Sequence, residues 1–359
     1  MIILGVESSC DETAISLVRD GHEVLANAIS SQIADHAAYG GVVPELAARE
    51  HLTNVRPTLD QALAEAQLEL KDIDGVAVTA QPGLLPALLV GAGFANGLAL
   101  ALNKPVSGIN HLAAHIYGGL IERQDILSNK DAFPIASLLI SGGNTQIFII
   151  HHDGRCELVG YTLDDAAGEA YDKAAKILQL PYPGGPIIDR LAADGNPKAY
   201  DFPRAFMPGS RKYTKENQFN FSFSGLKTSL LNFVKKNWHG EEVPEADLPD
   251  LLASYQSAIV DVLCAKLGKA ADRYKAQTML ICGGVACNSA IRNHMTIAAN
   301  QRGLDLVLTP GKYCTDNAAM IAGLGYHYLK NASGELKFVE ASGQAPAITH
   351  LPIFNQASS

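Results

Sequence analysis

Apolar and polar positions change their period several times along this chain. Residues 2–6 are an apolar run, Glu7-Ser8-Ser9-Cys10-Asp11-Glu12-Thr13 breaks it with small and acidic residues, and a second apolar run covers 14–18. Short apolar runs bounded by turn residues predict strands. After a turn at Asp20-Gly21, residues 23–30 read as the third strand of a meander. Residues 31–43 read as a loop holding Tyr39-Gly40-Gly41, and 44–66 take up helical periodicity. A strand at 74–80, a turn at Gln81-Pro82-Gly83, a helix at 87–102 and a short strand at 104–109 follow.

The pattern then recurs. Residues 135–140 are an apolar strand, Ser141-Gly142-Gly143-Asn144-Thr145 a small-residue turn, 146–151 a strand and Asp153-Gly154 the turn back. Strand, short polar turn ending in Thr, strand, Asp-Gly thus appears twice, roughly 130 residues apart, which predicts internal duplication. Further on come a helix at 164–178, a rigid turn at 181–186, a long helix at 248–274, a strand at 278–282 running into Gly283-Gly284, a strand at 304–308 and a helix at 318–329. Strands alternating with helices give an α/β class. The repeat divides the chain into two related domains, 1–109 and 110–330, with an insert at 204–236 and a tail at 331–359. Two such hairpins facing each other would clamp a phosphate in a cleft between the domains.

Composition narrows this picture. A chain of 359 residues with 47% hydrophobic and 18% charged positions is folded and long enough for two cores. The formal charge of -9 argues against a general polyanion-binding surface, so a nucleic-acid contact must be local or shared with another subunit. No basic region precedes the first apolar run, which reads as a strand and not a signal peptide. The six cysteines include no C-x-x-C pair and read as the reduced thiols of a cytoplasmic protein. Residues 83–102 carry no charge and are long enough to span a bilayer, yet Pro86, Asn96 and four glycines argue for a buried core helix and no membrane.

His111-Leu112-Ala113-Ala114-His115 places two imidazoles one helical turn apart on one face. Such a pair supplies two ligands to a metal, and a third must come from elsewhere. The plain alternative is two unrelated helix histidines. Asp316 is either an ordinary residue of the cap before 318–329 or that third ligand, which would suit Fe(II) or Zn(II). Ser141-Gly142-Gly143 and Gly283-Gly284 both follow strands and let a backbone approach a phosphate or purine, although such glycines also simply make turns. Asp165, Glu169 and Asp172 share a helical face, and Asp189 stands near the Pro-Gly-Gly-Pro turn. Carboxylates there would suit ribose hydroxyls or merely a solvated face. The insert sets Arg204, Arg211, Lys212, Lys215, Lys227, Lys235 and Lys236 against one acid, Glu216, and interleaves Phe206, Tyr213, Phe219, Phe221 and Phe223. That mixture fits RNA binding and equally a surface loop with its own small core.

Nine motifs in order carry a family resemblance. They are Gly-Val-Glu-Ser-Ser-Cys-Asp-Glu-Thr at 5–13, Tyr-Gly-Gly-Val-Val-Pro-Glu-Leu-Ala at 39–47, His-Leu-Ala-Ala-His at 111–115, Ser-Gly-Gly-Asn-Thr-Gln at 141–146 and Asp-Asp-Ala-Ala-Gly-Glu-Ala-Tyr-Asp-Lys at 164–173. Tyr-Pro-Gly-Gly-Pro at 182–186, Phe-Ser-Phe-Ser-Gly-Leu-Lys-Thr at 221–228, Gly-Gly-Val-Ala-Cys-Asn at 283–288 and Cys-Thr-Asp-Asn at 314–317 complete them. Together they resemble the bacterial tRNA N6-adenosine threonylcarbamoyltransferases, the TsaD family. The resemblance implies two actin/sugar-kinase-like (RNase H-like) domains. It implies transfer of a threonylcarbamoyl group from threonylcarbamoyl-adenylate to N6 of adenosine 37 in tRNAs reading ANN codons, which forms t6A. One divalent metal, Fe(II) or else Zn(II), would sit on His111, His115 and Asp316. Leu139, Ile140, Ser141, Gly142, Gly143, Asp172, Gly185, Asp189 and Asn288 would bind the adenylate. Asp11 and Glu12 would face its carbamoyl-phosphate end as catalytic residues, and Lys227 would lie near the RNA-facing insert. Implied partners are tRNA, a smaller paralogous subunit of the same fold and a P-loop ATPase subunit. One departure stands out: the family usually has His where this chain has Asn144. Two rival activities are a metalloprotease of the O-sialoglycoprotein endopeptidase kind and an ATPase or kinase of the same fold. The protease reading lacks its base, because a zincin helix has Glu where this chain has Leu112.

Overall fold

The computed structural model of the chain describes residues 1–210, 213–239, 242–330, 338–344 and 347–352. It divides into two compact units, one of residues 1–130, 153–155 and 310–359, the other of 131–152 and 156–309. A division at 109/110 would give His111, His115 and Asp316 to the second domain, whereas all three belong to the first unit.

The first unit is built on the meander that the pattern predicts. Strands β1 (Ile2–Glu7), β2 (Glu12–Arg19) and β3 (Glu23–Ser31) pair antiparallel, and β4 (Gly75–Gln81) and β5 (Val106–Asn110) add in parallel on the other side of β1, giving the order β3-β2-β1-β4-β5. Ile3, Leu4 and Val6 of β1 are fully buried. Each contributes roughly 1.5–3 kcal/mol by leaving water. Helices α1 (Ile33–Ala37), α2 (Pro44–Ala66), α3 (Leu85–Leu102), α4 (His111–Leu120) and α5 (Gln124–Leu127) follow the strands in turn.

Two further helices, α11 (Gly311–Cys314) and α12 (Ala318–Leu329), return to this unit at the far end of the chain. Small residues let α12 lie unusually close to β1. A Cβ on Gly5 would overlap the Ala318 carbonyl oxygen and stand 2.8 Å from the Ala322 nitrogen, so only glycine fits there. This packing carries residue 316 to the sheet end where β1 stops.

Helix α3 differs from the buried helix expected at 87–102. Ala87, Leu88, Gly91, Ala92, Ala95 and Ala99 are buried, but Leu89 and Leu100 on its other face are 55% and 57% exposed. Asn96, the polar residue in this apolar run, is bonded on both sides to Val339 of the tail: its amide donates to the Val339 carbonyl and its carbonyl accepts from the Val339 N–H, each at 2.9 Å. Among the described residues, two helices, α3 and one in the second unit, are long and apolar enough to cross a membrane.

The second unit repeats the first. Strands β6 (Ile135–Ile140), β7 (Thr145–Ile150), β8 (Cys156–Tyr161), β9 (Thr278–Cys282) and β10 (Asp305–Leu308) take the order β8-β7-β6-β9-β10, with β6 antiparallel to β7 and parallel to β9. Strand for strand this is the first sheet again, so the duplication inferred from the hairpins extends to all five strands. Helices α6 (Ala167–Ile177), α7 (Gly184–Leu191), α8 (Ser224–Trp238), α9 (Leu248–Tyr274) and α10 (Ser289–Asn300) surround it. The rigid turn expected at 181–186 ends early: α7 starts at Gly184, and Pro186 falls in its first turn, where no amide donor is needed.

The insert has a core of its own. Phe206, Phe219, Phe221 and Phe223 are buried, so these rings are not available to stack on bases. The rings of Phe206 and Phe221 lie beside the ammonium of Lys266 of α9, which is 2% exposed and donates to the carbonyls of Phe206 at 3.0 Å and Gln218 at 3.2 Å. Lys215, Lys235 and Lys236 stay exposed, Arg204 pairs with Asp261 at 2.7 Å, and Arg211 and Lys212 lie outside the described residues.

Burial, then the charge of Lys269, lowers the Lys266 ammonium from its ordinary 10.5 to about 8. Between those values the unfolded chain holds a proton that the folded chain has shed, so folding gains stability as pH rises across that window, by up to roughly 3 kcal/mol. Lys266→Met should abolish this gain. Urea unfolding followed by Trp238, the single tryptophan and a residue of α8, reads it in the second unit. Wild type and variant showing the same pH slope from about 8 to 10.5 would rule the account out.

Candidate metal centre and its neighbouring loops

The histidine helix starts where its cap says it must. The Asn110 side chain accepts from the N–H groups of Leu112 and Ala113, both at 3.0 Å, which sets His111 as the first helical residue. Both imidazoles are buried, and their centroids lie 4.6 Å apart, edge to face. Asp316 brings Oδ1 to 3.1 Å from His115 Nε2 and 3.4 Å from His111 Nε2. Asp316 is not the cap of α12. Asn317 is, accepting from the Met320 N–H at 3.1 Å, which leaves the Asp316 carboxylate free to turn to the histidines.

These distances suit one cation. The three ligand atoms lie within 4.8 Å of one another. Ligands about 2.0–2.2 Å from a shared ion stand roughly 3–3.5 Å from each other, as the Nε2 atoms do from Asp316. His115 Nδ1 is buried without a partner, so the ring's polar bonding runs entirely through Nε2. Two imidazoles and a carboxylate leave coordination positions open, a donor set that Fe(II) and Zn(II) both accept.

Behind His111 stands a residue the sequence reading missed. Glu7, the last residue of β1, is fully buried and meets His111 Nδ1 at 3.1 Å through Oε2. It accepts from the Ser9 N–H at 2.6 Å and from the Thr79 hydroxyl at 2.5 Å. A carboxylate on the far nitrogen of a ligating imidazole fixes its tautomer and orientation. An acid closing an otherwise apolar strand was the available signal.

The charges balance as a group. Burial pushes the Glu7 and Asp316 carboxyls up, but His111 outweighs it and holds both below the ordinary range. Burial likewise opposes the His111 cation, and Asp316 and Glu7 overcome it and hold that imidazole well above its usual value. Glu12 goes the other way: burial, then the charges of Asp316 and Asp11, push it up to about 10. Asp11, next to it in the chain, is buried as well. Asp11 and Glu12 therefore stand within electrostatic reach of the centre, and a divalent cation there would offset the crowding of acids.

The residues proposed for the adenylate all lie in the second unit. Leu139 and Ile140 are buried in β6, so only their main chain is available. Ser141, Gly142, Gly143 and Asn144 close a tight turn: the Ser141 N–H donates to the Asn144 carbonyl at 2.8 Å, and the Asn144 N–H to the Ser141 hydroxyl at 3.2 Å. Gly142 and Gly143 face open space, and Gly168 presses on the turn, where a Cβ would meet the Ser141 carbonyl at 2.6 Å. Asp172 accepts from the Gly184 N–H at 2.8 Å, beside Gly185. Asp189 accepts from the Ser289 N–H and hydroxyl at 2.8 and 2.9 Å, next to Asn288. Asn288 caps α10 through the Ile291 N–H and gives its amide to Gln256 at 2.8 Å. The acidic face read at Asp165 and Glu169 is neutralised by Lys173, which reaches them at 2.6 and 2.7 Å.

Two duplicated five-stranded units, one carrying a buried His-His-carboxylate group, define an actin/sugar-kinase-like protein with a metal-type centre. The fold is that of component A of the (R)-2-hydroxyglutaryl-CoA dehydratase of Acidaminococcus fermentans, with a TM-score of 0.53 at 14% identity over 92% of this chain and 100% of that one. A family model for tRNA N6-adenosine threonylcarbamoyltransferase matches residues 23–323. The enzyme of that name from Geotalea uraniireducens is 47% identical over 331 residues, 92% of each chain. That from Syntrophus aciditrophicus is 47% identical over 347 residues, 96% of this chain and 98% of its own. The chain belongs to the tRNA N6-adenosine threonylcarbamoyltransferase family.

Removing a ligand and removing its support should differ in degree. Asp316→Ala should abolish stoichiometric metal binding. Glu7→Gln should weaken it about 10- to 100-fold, as expected for a residue that orients a ligand. Titration of the metal-free chain with Fe(II) or Zn(II) reads both, and unchanged affinity in Glu7→Gln would remove it from the centre.

Proposed function

We propose that the chain transfers the threonylcarbamoyl group of threonylcarbamoyl-adenylate to N6 of adenosine 37 in tRNAs reading ANN codons, forming t6A in the cytoplasm. The observation that carries this reading is the His111–His115–Asp316 group beside Asp11 and Glu12, in a chain of this family. The N6–carbon bond forms, the carbon–oxygen bond to phosphate breaks, adenylate leaves, and N6 loses a proton. A divalent metal, Fe(II) by preference, would supply Lewis acidity and orientation toward the donor's oxygens. Asp11 is the base for the N6 proton, with Glu12 as its neighbour in the turn. In the second unit, the open main chain of Ser141–Gly143 would hold the leaving phosphate, and Asp172, Gly185, Asp189 and Asn288 the nucleoside. Asn144 donates a hydrogen bond there but no charge.

The metalloprotease reading is not favoured: Leu112 stands where a zincin needs its glutamate. A kinase of this fold has no need of the histidine centre. The acidic chain would hold tRNA through Lys215, Lys235 and Lys236 and through partner subunits. Leu52, 66% exposed, joins Leu89, Val90 and Phe94 along the outer side of α2 and α3. An apolar surface of this kind supports a protein partner, here the smaller paralogous subunit. A P-loop ATPase subunit completes the assembly by family resemblance.

The test is reconstitution. The complex given threonylcarbamoyl-adenylate and unmodified tRNA should form t6A, with Asp11→Asn lowering kcat by about 10²–10⁴. Absence of modified adenosine with wild type would end the reading. Lys235→Glu with Lys236→Glu should raise KM for tRNA and leave donor KM alone. Leu89→Asp should weaken binding of the paralogous subunit without altering metal content.

A further inference from the structure

Behind the acid turn lies a buried polar chain that no part of the proposed reaction uses. His36, His51, Gln32 and Thr13 are each at most 1% exposed. At one end the Val43 N–H points at His36 Nδ1, at 3.3 Å. His36 Nε2 meets Gln32 Oε1 at 3.2 Å, and Gln32 Nε2 meets His51 Nδ1 at 3.3 Å, where the Thr13 hydroxyl also arrives at 2.7 Å. At the other end His51 Nε2 reaches the Cys10 carbonyl at 3.0 Å. The next carbonyl, that of Asp11, accepts from the Gln32 N–H at 2.9 Å.

The two ends fix every proton between them. A backbone N–H only donates, so His36 Nδ1 accepts and its proton is on Nε2. Gln32 Oε1 takes that proton's bond, which leaves its NH₂ toward His51. Nδ1 of His51 therefore accepts, and its Nε2 proton goes to Cys10. Flipping the Gln32 amide would ask His36 to accept at both nitrogens, which a neutral ring with one proton cannot do. Burial, moreover, lowers the His51 imidazole below its usual value and keeps it neutral.

We propose that His36, Gln32 and His51 are positioning residues that hold the Cys10–Asp11 main chain, and so aim Asp11 and Glu12. The relay runs from the 39–43 segment, where Tyr39 is 67% exposed and Gly40 has φ +67, to the acid turn. Its catalytic consequence rests on the transfer reaction proposed above, whereas its proton arrangement does not.

Two measurements separate these. Imidazole ¹⁵N shifts of the metal-free chain should show His36 and His51 both as Nε2–H tautomers, and an Nδ1–H ring at either position overturns the proposal whatever the activity. In the reconstituted complex, Gln32→Leu should lower kcat about ten- to a hundredfold, the cost of slightly misplaced groups, with KM for tRNA, bound metal and melting midpoint close to wild type. A Gln32→Leu enzyme with wild-type kcat, or with kcat, metal and midpoint all lost together, refutes a positioning role. Gln32→Glu, which keeps the site polar, gives a pH signature. Its carboxylate accepts from both rings, and only a His51 imidazolium donates to that carboxylate and to Cys10 together, with Glu7, Asp11 and His36 as the other titratable groups acting on it. Activity of that variant should fall as pH rises through the imidazolium's titration, and a profile parallel to wild type counts against the relay. If the wild-type complex makes no t6A, the functional reading fails and the tautomers still decide the relay.

Discussion

A carboxylate sealed at the end of a strand must be neutralised or bonded on every side, and Glu7 is bonded. Its three partners come from the turn after β1, from β4 and from α4. Leaving such a charge without partners would cost several kcal/mol, so the three elements are tied to one geometry. The imidazole that Glu7 holds meets Asp316 as His115 does, and Asp316 arrives because Gly5 lets α12 lie against β1. The centre is therefore a product of the first sheet and the two helices at its end.

The two units set different charge on one scaffold. At the end of the central strand the first has Glu7 and the second has Ile140; the turn after it holds Asp11 in one and Asn144 in the other. The first turn gathers acids and excludes anions unless a cation is present. Its counterpart is uncharged, with Gly142 and Gly143 open to solvent, the arrangement a phosphate prefers.

Much of this was readable in advance where local rules decide. The hairpins, the long helices at 44–66 and 248–274 and the i, i+4 histidines followed from period alone. Asp316 required the family resemblance, because nothing local tells a carboxylate beside a cap from the cap itself. Glu7 escaped because it reads as the end of a strand, and its role exists only once α4 is folded against it. Strand β8 escaped because Leu158 and Tyr161 are exposed on this edge strand, which blurs its alternation. Helix α8 was hidden by attention to charge: Leu226, Leu230 and Val234 carry its buried stripe at intervals of four. The insert's rings fit base stacking and a small core equally by composition, and only tertiary packing, which buries Phe206, Phe219, Phe221 and Phe223, decides for the core.

The asparagine caps have one more effect. Asn110 and Asn317 place the start of two helices at the centre, His111 just inside one and Asp316 just before the other. Helix starts carry partial positive charge, which draws acids together and repels a cation. The two tendencies oppose each other within one small volume, so an ion bound there would be held less firmly than its ligands alone would hold it. With only three protein ligands, such an ion would exchange with its surroundings, and its identity would then follow what the cell supplies as well as what the site prefers.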